Sequence, residues 1–195
     1  MIMGGKMAIF ELKPPEAELD EWAKEYWKAN SKDSEAAAFD AGREILGGDF
    51  SATNLKKIVC WKSPRVVHHI DENLPEKIRE ALQKAIAPAT SSREAILALT
   101  ELRGVGVPVA SAILTTIFPD RCTIIDFRAL EALGHEPDHV DFYDRYLSFC
   151  AGLAADLAQR GIIHPQDGYP APTALRALDR ALWQWSASKG NLEPE

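Results

Sequence analysis

Two stretches of this chain hold residue types whose spacing can do chemistry. The first runs from Leu102 to Asp126 and begins Leu102-Arg103-Gly104-Val105-Gly106. Two glycines around one small apolar residue let the backbone turn sharply, and amide N–H groups are left exposed where the next helix starts. Such amides, together with the helix dipole, attract a phosphate. Contacts of this kind hold a nucleic-acid backbone without reading its bases. Arg103, at the tip, can reach the same backbone. A tight turn that serves only packing is the alternative. The stretch ends at Asp126, a residue type that is also among the best helix N-caps. The second stretch, Trp61 to His69, gathers an aromatic ring, two cations (Lys62 and Arg65) and two histidines (His68 and His69) around Pro64. A pocket for an unstacked base needs a ring to stack on and polar groups for the base edge. A helix end whose cations complement the dipole, with its histidines in water, accounts for the same residues. The two readings balance for Trp61 and Lys62, whereas the surface reading is preferred for His68 and His69.

Apolar spacing supplies the elements that must position these groups. Ile96, Leu97, Leu99 and Leu102 precede the glycine turn, and Ala110, Ile113, Leu114 and Ile117 follow it, both at helical period. Ser91-Ser92-Arg93-Glu94 is a capping box for the first helix, and Pro108 suits the first turn of the second. Pro119-Asp120 breaks the chain, Thr123-Ile124-Ile125 reads as extended, and Asp126 opens a helix through Leu133 that Gly134 stops. Upstream, Pro14-Pro15 leads into a helix with Leu19, Trp22, Ala23, Tyr26 and Trp27 on one face. Trp22 and Trp27 could stack on bases, but core packing is preferred at this period. Ser34 is expected to cap a second helix through Leu46, closed by Gly47-Gly48. Ser51 or Thr53 opens a third, with Leu55, Ile58 and Val59 inward and Lys56 and Lys57 outward. Pro75 starts a fourth with Ile78, Leu82, Ala85 and Ile86 inward. Downstream, a long helix is expected from about Asp141 to Arg160, with Phe142, Tyr146, Phe149, Leu153 and Leu157 on its buried side. After a Gly- and Pro-rich loop, Thr173 caps a last helix with Leu175, Leu178, Leu182 and Trp185 inward, and a polar tail follows from Ala187. No strand pattern and no repeat is present. An all-α fold follows, as a single domain over residues 1–195.

The composition bounds the function classes. A hydrophobic fraction of 46% over 195 residues supports a sizeable core and argues against disorder. No apolar run is long enough for a membrane span, and the N-terminal MIMGGKMAIF is too short in apolar residues for a signal peptide, so a cytoplasmic, intracellular protein is expected. Cys60, Cys122 and Cys150 have no metal-binding spacing and read as buried small hydrophobes. The net charge of −7 opposes DNA binding, whose affinity comes largely from cations on phosphates. The charge is uneven, however. Residues 1–50 carry 6 basic against 11 acidic groups and residues 129–195 carry 5 against 10, while residues 51–128 carry 11 against 8. The segment with both candidate stretches is thus the one with a positive excess.

The stretch from about 91 to 134 resembles the helix-hairpin-helix (HhH-GPD) DNA glycosylase superfamily. Its pattern is Leu-x-Gly-Val-Gly-x-Lys-x-Ala, then an apolar helix, then an aspartate that opens the next helix. Leu102, Gly104, Val105, Gly106 and Ala110 fit, and Asp126 follows position 108 by the expected interval of about 18 residues (126 − 108). The resemblance implies a two-lobed helical bundle whose helix-hairpin-helix (about 92–118) lies beside a cleft. It implies a double-stranded DNA partner and a base flipped out of the stack. The Asp126 carboxylate would stabilise oxocarbenium-like charge on the sugar and orient or deprotonate the attacking water. The amides of Gly104, Gly106 and Val109 match those that hold a DNA phosphate, with Arg103 and Val105 beside them. The carbonyls of Thr100, Leu102 and Val105 match those that can hold a monovalent cation, and no other cofactor is implied. Trp61 and Lys62 would shape the base pocket, with Arg128 as a phosphate or carboxylate partner or as a surface residue. Pro108 departs from the family, standing where bifunctional members carry a nucleophilic lysine. Proline forms no Schiff base, so a monofunctional enzyme without lyase activity is expected. No cysteine follows Cys150, which leaves no ligand set for the family's C-terminal iron–sulfur cluster. Two other readings stand beside this one: a non-catalytic DNA-binding module, and a protein-interaction domain with no nucleic-acid role.

Overall fold

The computed structural model describes residues 10–135 and 143–190. Among them the chain is all-helical, without strands. The α-helices are α1 (Leu19–Ala29), α2 (Lys32–Leu46), α3 (Ala52–Lys62), α4 (Pro75–Ile86), α5 (Ser92–Thr100), α6 (Val107–Ile117), α7 (Phe127–Ala132), α8 (Tyr143–Gln159) and α9 (Ala174–Ser188). A 3-10 segment, Pro64–Glu72, joins α3 to α4.

The centre is α6. Every residue from Val109 to Ile117 is buried, so this helix has no wet face beyond its first turn. Helices α2, α3 and α5 pack directly on it, and α4 packs on α5. The α2–α6 crossing depends on Gly42, where a Cβ would overlap the Thr116 carbonyl. On the other side of the molecule α9 packs most extensively on α1, and also on α7 and α8. The first helix of the chain is therefore sealed by its last.

Local chemistry sets most helix ends. Ser51, Ser91, Asp126 and Thr173 each accept an amide hydrogen bond as N-caps, and Ser91 with Glu94 completes a capping box. The second helix starts earlier than expected. Ser31 is its cap, accepting from the Ser34 amide, because Lys32 and Asp33 already follow helical geometry. Leu97 is exposed, since Ala95, Ile96, Ala98 and Leu99 already fill the buried side of the short α5. The buried side of α8 is Tyr143, Tyr146, Cys150, Ala154 and Leu157, with Phe149 and Leu153 only half-buried. That face is rotated from the expected one because two tyrosine hydroxyls seek backbone carbonyls in the core. Phe142 and Asp141 lie outside the described residues. Cys122 and Cys150 are buried, but Cys60 is exposed, one position past the inward pair Ile58 and Val59. The last helix continues through Ala187 to Ser188. No helix among the described residues is long and apolar enough to cross a membrane.

Candidate functional site

Asp126 is placed by the extended run before it. Cys122 to Ile125 are all buried, and buried backbone groups need partners. Tyr143 donates its hydroxyl to the Thr123 carbonyl (2.9 Å), and Tyr146 donates to the Ile124 carbonyl (2.6 Å). Ser111, on α6, donates to the Pro108 carbonyl (2.9 Å) while its oxygen accepts from the Ile125 amide (3.1 Å). One hydroxyl thus fixes the start of α6 against the residue before Asp126.

The Asp126 side chain is only 8% exposed. Its Oδ1 accepts from the Ala129 amide at 2.9 Å, capping α7. Its Oδ2 accepts from Lys62 Nζ, which arrives from the last residue of α3. Burial pushes this carboxyl up. The Lys62 ammonium, the Ala129 amide and, more weakly, the Arg128 charge outweigh burial and hold it below the usual carboxylate range.

Lys62 and Asp126 line an open cavity of about 600 Å³, together with Arg65, Gly104, Gly106 and Phe127. The turn between α5 and α6 and the cap of α7 therefore face the same space, as does Pro108. By helix geometry the amides of Gly106, Val107 and Val109 have no carbonyl one turn back inside α6, and Pro108 has no N–H. The turn is also clasped from outside. Asn73 Oδ1 accepts from the Arg103 amide (2.8 Å), and Asn73 Nδ2 donates to the Arg103 carbonyl (3.1 Å). Gly104 has φ +81° and sits so close to the 3-10 segment that a Cβ there would lie 2.9 Å from His69 Cβ. Within the turn, the Leu102 carbonyl accepts from the Val105 amide at 3.1 Å.

The remaining expected site residues divide. The Arg103 guanidinium is exposed and pairs with Glu72, which also bonds His69 Nδ1 at 2.7 Å. His68 is exposed and His69 half-buried; neither lines the cavity, though His69 packs behind Gly104, which does. Trp61 is half-buried with its ring 5.8 Å from that of Phe39. It lines a second, smaller cavity of about 90 Å³ on the far side of Lys62 and Asp126, shared with Asp179 and Trp183. Arg128 lines neither cavity; its guanidinium sits 4.7 Å from the Phe127 ring and 5.0 Å from that of Trp183, backing the wall between them. Trp22 and Trp27 take no part. Trp27 stacks on Tyr169 at 4.6 Å, and Trp22 Nε1 donates to Glu18 at 3.3 Å.

The small cavity exposes a group that sequence reasoning missed. Glu35, fully buried on α2, accepts from Arg176 Nη2 (2.9 Å), Arg180 Nη2 (2.5 Å) and the Tyr26 hydroxyl (3.1 Å). Arg176 also pairs with Asp179, and its guanidinium lies 5.3 Å from the Trp61 ring. Burial raises the Glu35 carboxyl, but the two guanidiniums outweigh it and the result lies below the usual range. For Asp179 burial wins over Arg176 and pushes the carboxyl up to about 6. The charged residues of α9 repeat at helical spacing, which in sequence looks like a wet face.

Among the described residues no group of three or more His, Cys, Asp or Glu side chains could hold a metal ion. What the arrangement offers is a buried carboxylate held below its usual range, a primary amine on it, and a glycine turn with helix-start amides, all around one cavity of about 600 Å³. No protein-family model matches this chain, nor does any curated protein or solved structure.

Proposed function

We propose that this protein is a DNA N-glycosylase of the helix-hairpin-helix type, acting in base-excision repair on double-stranded DNA. The observation that carries the reading is that Asp126, buried and ionised, lines the same cavity as the Gly104–Gly106 turn. In this reading α5, the turn and α6 form the helix-hairpin-helix, and the α2–α6 group and the α1, α7, α8 and α9 group are two lobes flanking the cleft. The amides of Gly104, Gly106 and Val109 hold a phosphate, helped by Arg103 and with Val105 packing beneath. A damaged or modified base leaves the stack and enters the cavity between the turn and Asp126, with Trp61 beyond the Lys62–Asp126 pair and Arg128 against Phe127. Asp126 then stabilises positive charge developing at C1′ as the base departs and orients the water that replaces it. In this reading a monovalent cation binds the carbonyls of Thr100, Leu102 and Val105. The Leu102 carbonyl, already accepting one amide, has a second lone pair to give.

The test is base release from duplexes carrying alkylated, deaminated or oxidised bases. Release by the wild type, reduced at least about 100-fold in Asp126→Asn, is the expected outcome, given the typical weight of one transition-state electrostatic contact. No release on any duplex, with salt-sensitive binding intact, would replace this reading with a non-catalytic DNA-binding module. The clasp of Asn73 on Arg103 favours a third reading, a protein-interaction domain in which the turn serves packing. Absence of both release and binding would make it the best of the three.

A further inference from the structure

A base leaves its sugar in one of two ways, set by its charge. A cationic, alkylated base takes the C1′–N electron pair and becomes neutral, so it needs no partner for charge. A neutral base with carbonyl groups takes the same pair and becomes an anion. That charge spreads from the ring nitrogen to the carbonyl oxygens and needs donors there. The wall of the larger cavity is matched to the second case. Lys62, Ser63 and Arg65 bring N–H or O–H groups to it, and the start of α6 adds backbone amides. Lys62 spends one N–H on Asp126, its one hydrogen-bond partner among the described residues, and its ammonium has others to give. The carboxylate on this wall is already engaged, with the Ala129 amide on Oδ1 and Lys62 on Oδ2. So is the ring of Phe127, which has the Arg128 guanidinium 4.7 Å from it. A base with a fixed positive charge would therefore meet Lys62 and Arg65, beside a carboxylate and a ring that each serve another cation.

We propose that this cavity selects neutral bases that present carbonyl oxygens, the chemistry shared by deaminated and oxidised bases, and excludes cationic alkylated ones. This selectivity rests on the glycosylase reading of the same site. A carbonyl oxygen of the flipped base accepts from Lys62 or Arg65 as the ring enters beside the turn. The C1′–N bond then breaks with its electron pair on the base, and the two cations meet the negative charge that collects on that oxygen. Asp126 meets the positive charge left on the sugar. Water bonds to C1′ through its oxygen, and the proton it loses ends on the base. The products are a C1′ hydroxyl and a neutral free base, and no oxidant or reductant is consumed.

The experiment uses the full chain and duplexes whose modified nucleotide has a 2′-fluoro sugar, which resists hydrolysis and lets binding be read without release. The neutral probes are 8-oxoguanine for the oxidised arm and uracil and hypoxanthine for the deaminated arm. The cationic probe is 7-methylguanine, which has the same pairing edge as 8-oxoguanine but a positive charge in place of the added carbonyl. Fluorescence anisotropy should show at least one neutral probe bound about tenfold or more tighter than 7-methylguanine, the weight of one hydrogen bond to a charged group. Which neutral probe wins identifies the source of the carbonyl. Lys62→Gln and Arg65→Gln should each shrink that ratio about three- to tenfold. Both probes meet the same protein, so the ratio does not depend on how much of a variant folds. No neutral probe bound tighter than 7-methylguanine, or a ratio unchanged in both variants, would overturn the inference. On ordinary sugars, release of 7-methylguanine and of no neutral base would overturn it while leaving the glycosylase reading in place. Preferential binding of neutral bases without release of any base would do the reverse.

Discussion

Asp126 is held between opposed effects, and their balance can be read by removing one. Burial favours its protonated form, while Lys62 and the Ala129 amide favour the carboxylate. The folded value lies below the unfolded one, so its contribution to stability is present above the ordinary carboxylate range and is lost as pH falls through the folded value. Lys62→Met leaves burial in charge and should cost about 2–3 kcal/mol at pH 7, somewhat under the usual loss for breaking a fully buried pair. Denaturant titrations of both proteins should show that cost shrinking near pH 4; a constant difference would refute the account. Asp179 has the opposite sign. Its folded value is raised from 3.8 to about 6 by burial, so folding takes up a proton in that window and stability falls as pH rises through it. Asp179→Asn cannot titrate. Thermal melts should therefore show the wild type losing ground to the variant between pH 4 and 6, by up to about 3 kcal/mol. At this scale Asp126 was legible in the sequence, because a cap at a set distance from a glycine turn is a local signal. Glu35, Arg176, Asp179 and Arg180 were not, because a charge reads as solvated until its partner is known.

The elements that place the site are those where backbones approach closely. At the α2–α6 crossing Gly42 has no room for a Cβ against Thr116. Gly42→Ala should therefore cost about 3 kcal/mol, at the upper end for overpacking, with the loss read as a lower denaturant midpoint. A near-neutral result would mean that α2 can lift off α6 freely, and that the site does not depend on this crossing. Helix positions were largely readable, since proline starts, glycine stops and capping hydroxyls act within a turn. Three features were hidden for physical reasons. Ser31 and Ser34 stand three apart, and either could cap. Tyr143 and Tyr146 count as apolar by period, but their hydroxyls bond Thr123 and Ile124 and so turn α8 about its axis. The Pro64–Glu72 segment carries no long-range period because each 3-10 turn is held locally, so its grip on Arg103 through Asn73 could not be anticipated.

Across the whole molecule the acidic total coexists with a basic middle, in which Lys56, Lys62 and Arg103 are each paired with a carboxylate of the same segment. Glu72 holds Arg103 at the tip of the turn. In the proposed function a DNA phosphate has to displace it. Glu72→Gln should strengthen duplex binding about two- to fivefold, the worth of an exposed ion pair. It should also steepen the dependence of log affinity on log salt by about 1, the increment for one more neutralised phosphate. Fluorescence anisotropy at several salt concentrations measures both, and an unchanged slope would show that Arg103 does not meet the backbone. The pairing of α1 and α2 with α9 has a consequence for the birth of the chain. Glu35 meets Arg176 and Arg180 across 141 and 145 residues. During synthesis the carboxylate emerges long before either guanidinium exists, and it must stay in water until they do. The wall of aromatic rings and charges behind Trp61 therefore closes only when the last helix has left the ribosome. Until then the nascent protein carries the larger cavity of its glycine turn and Asp126, which no α9 residue lines, without the smaller one behind it.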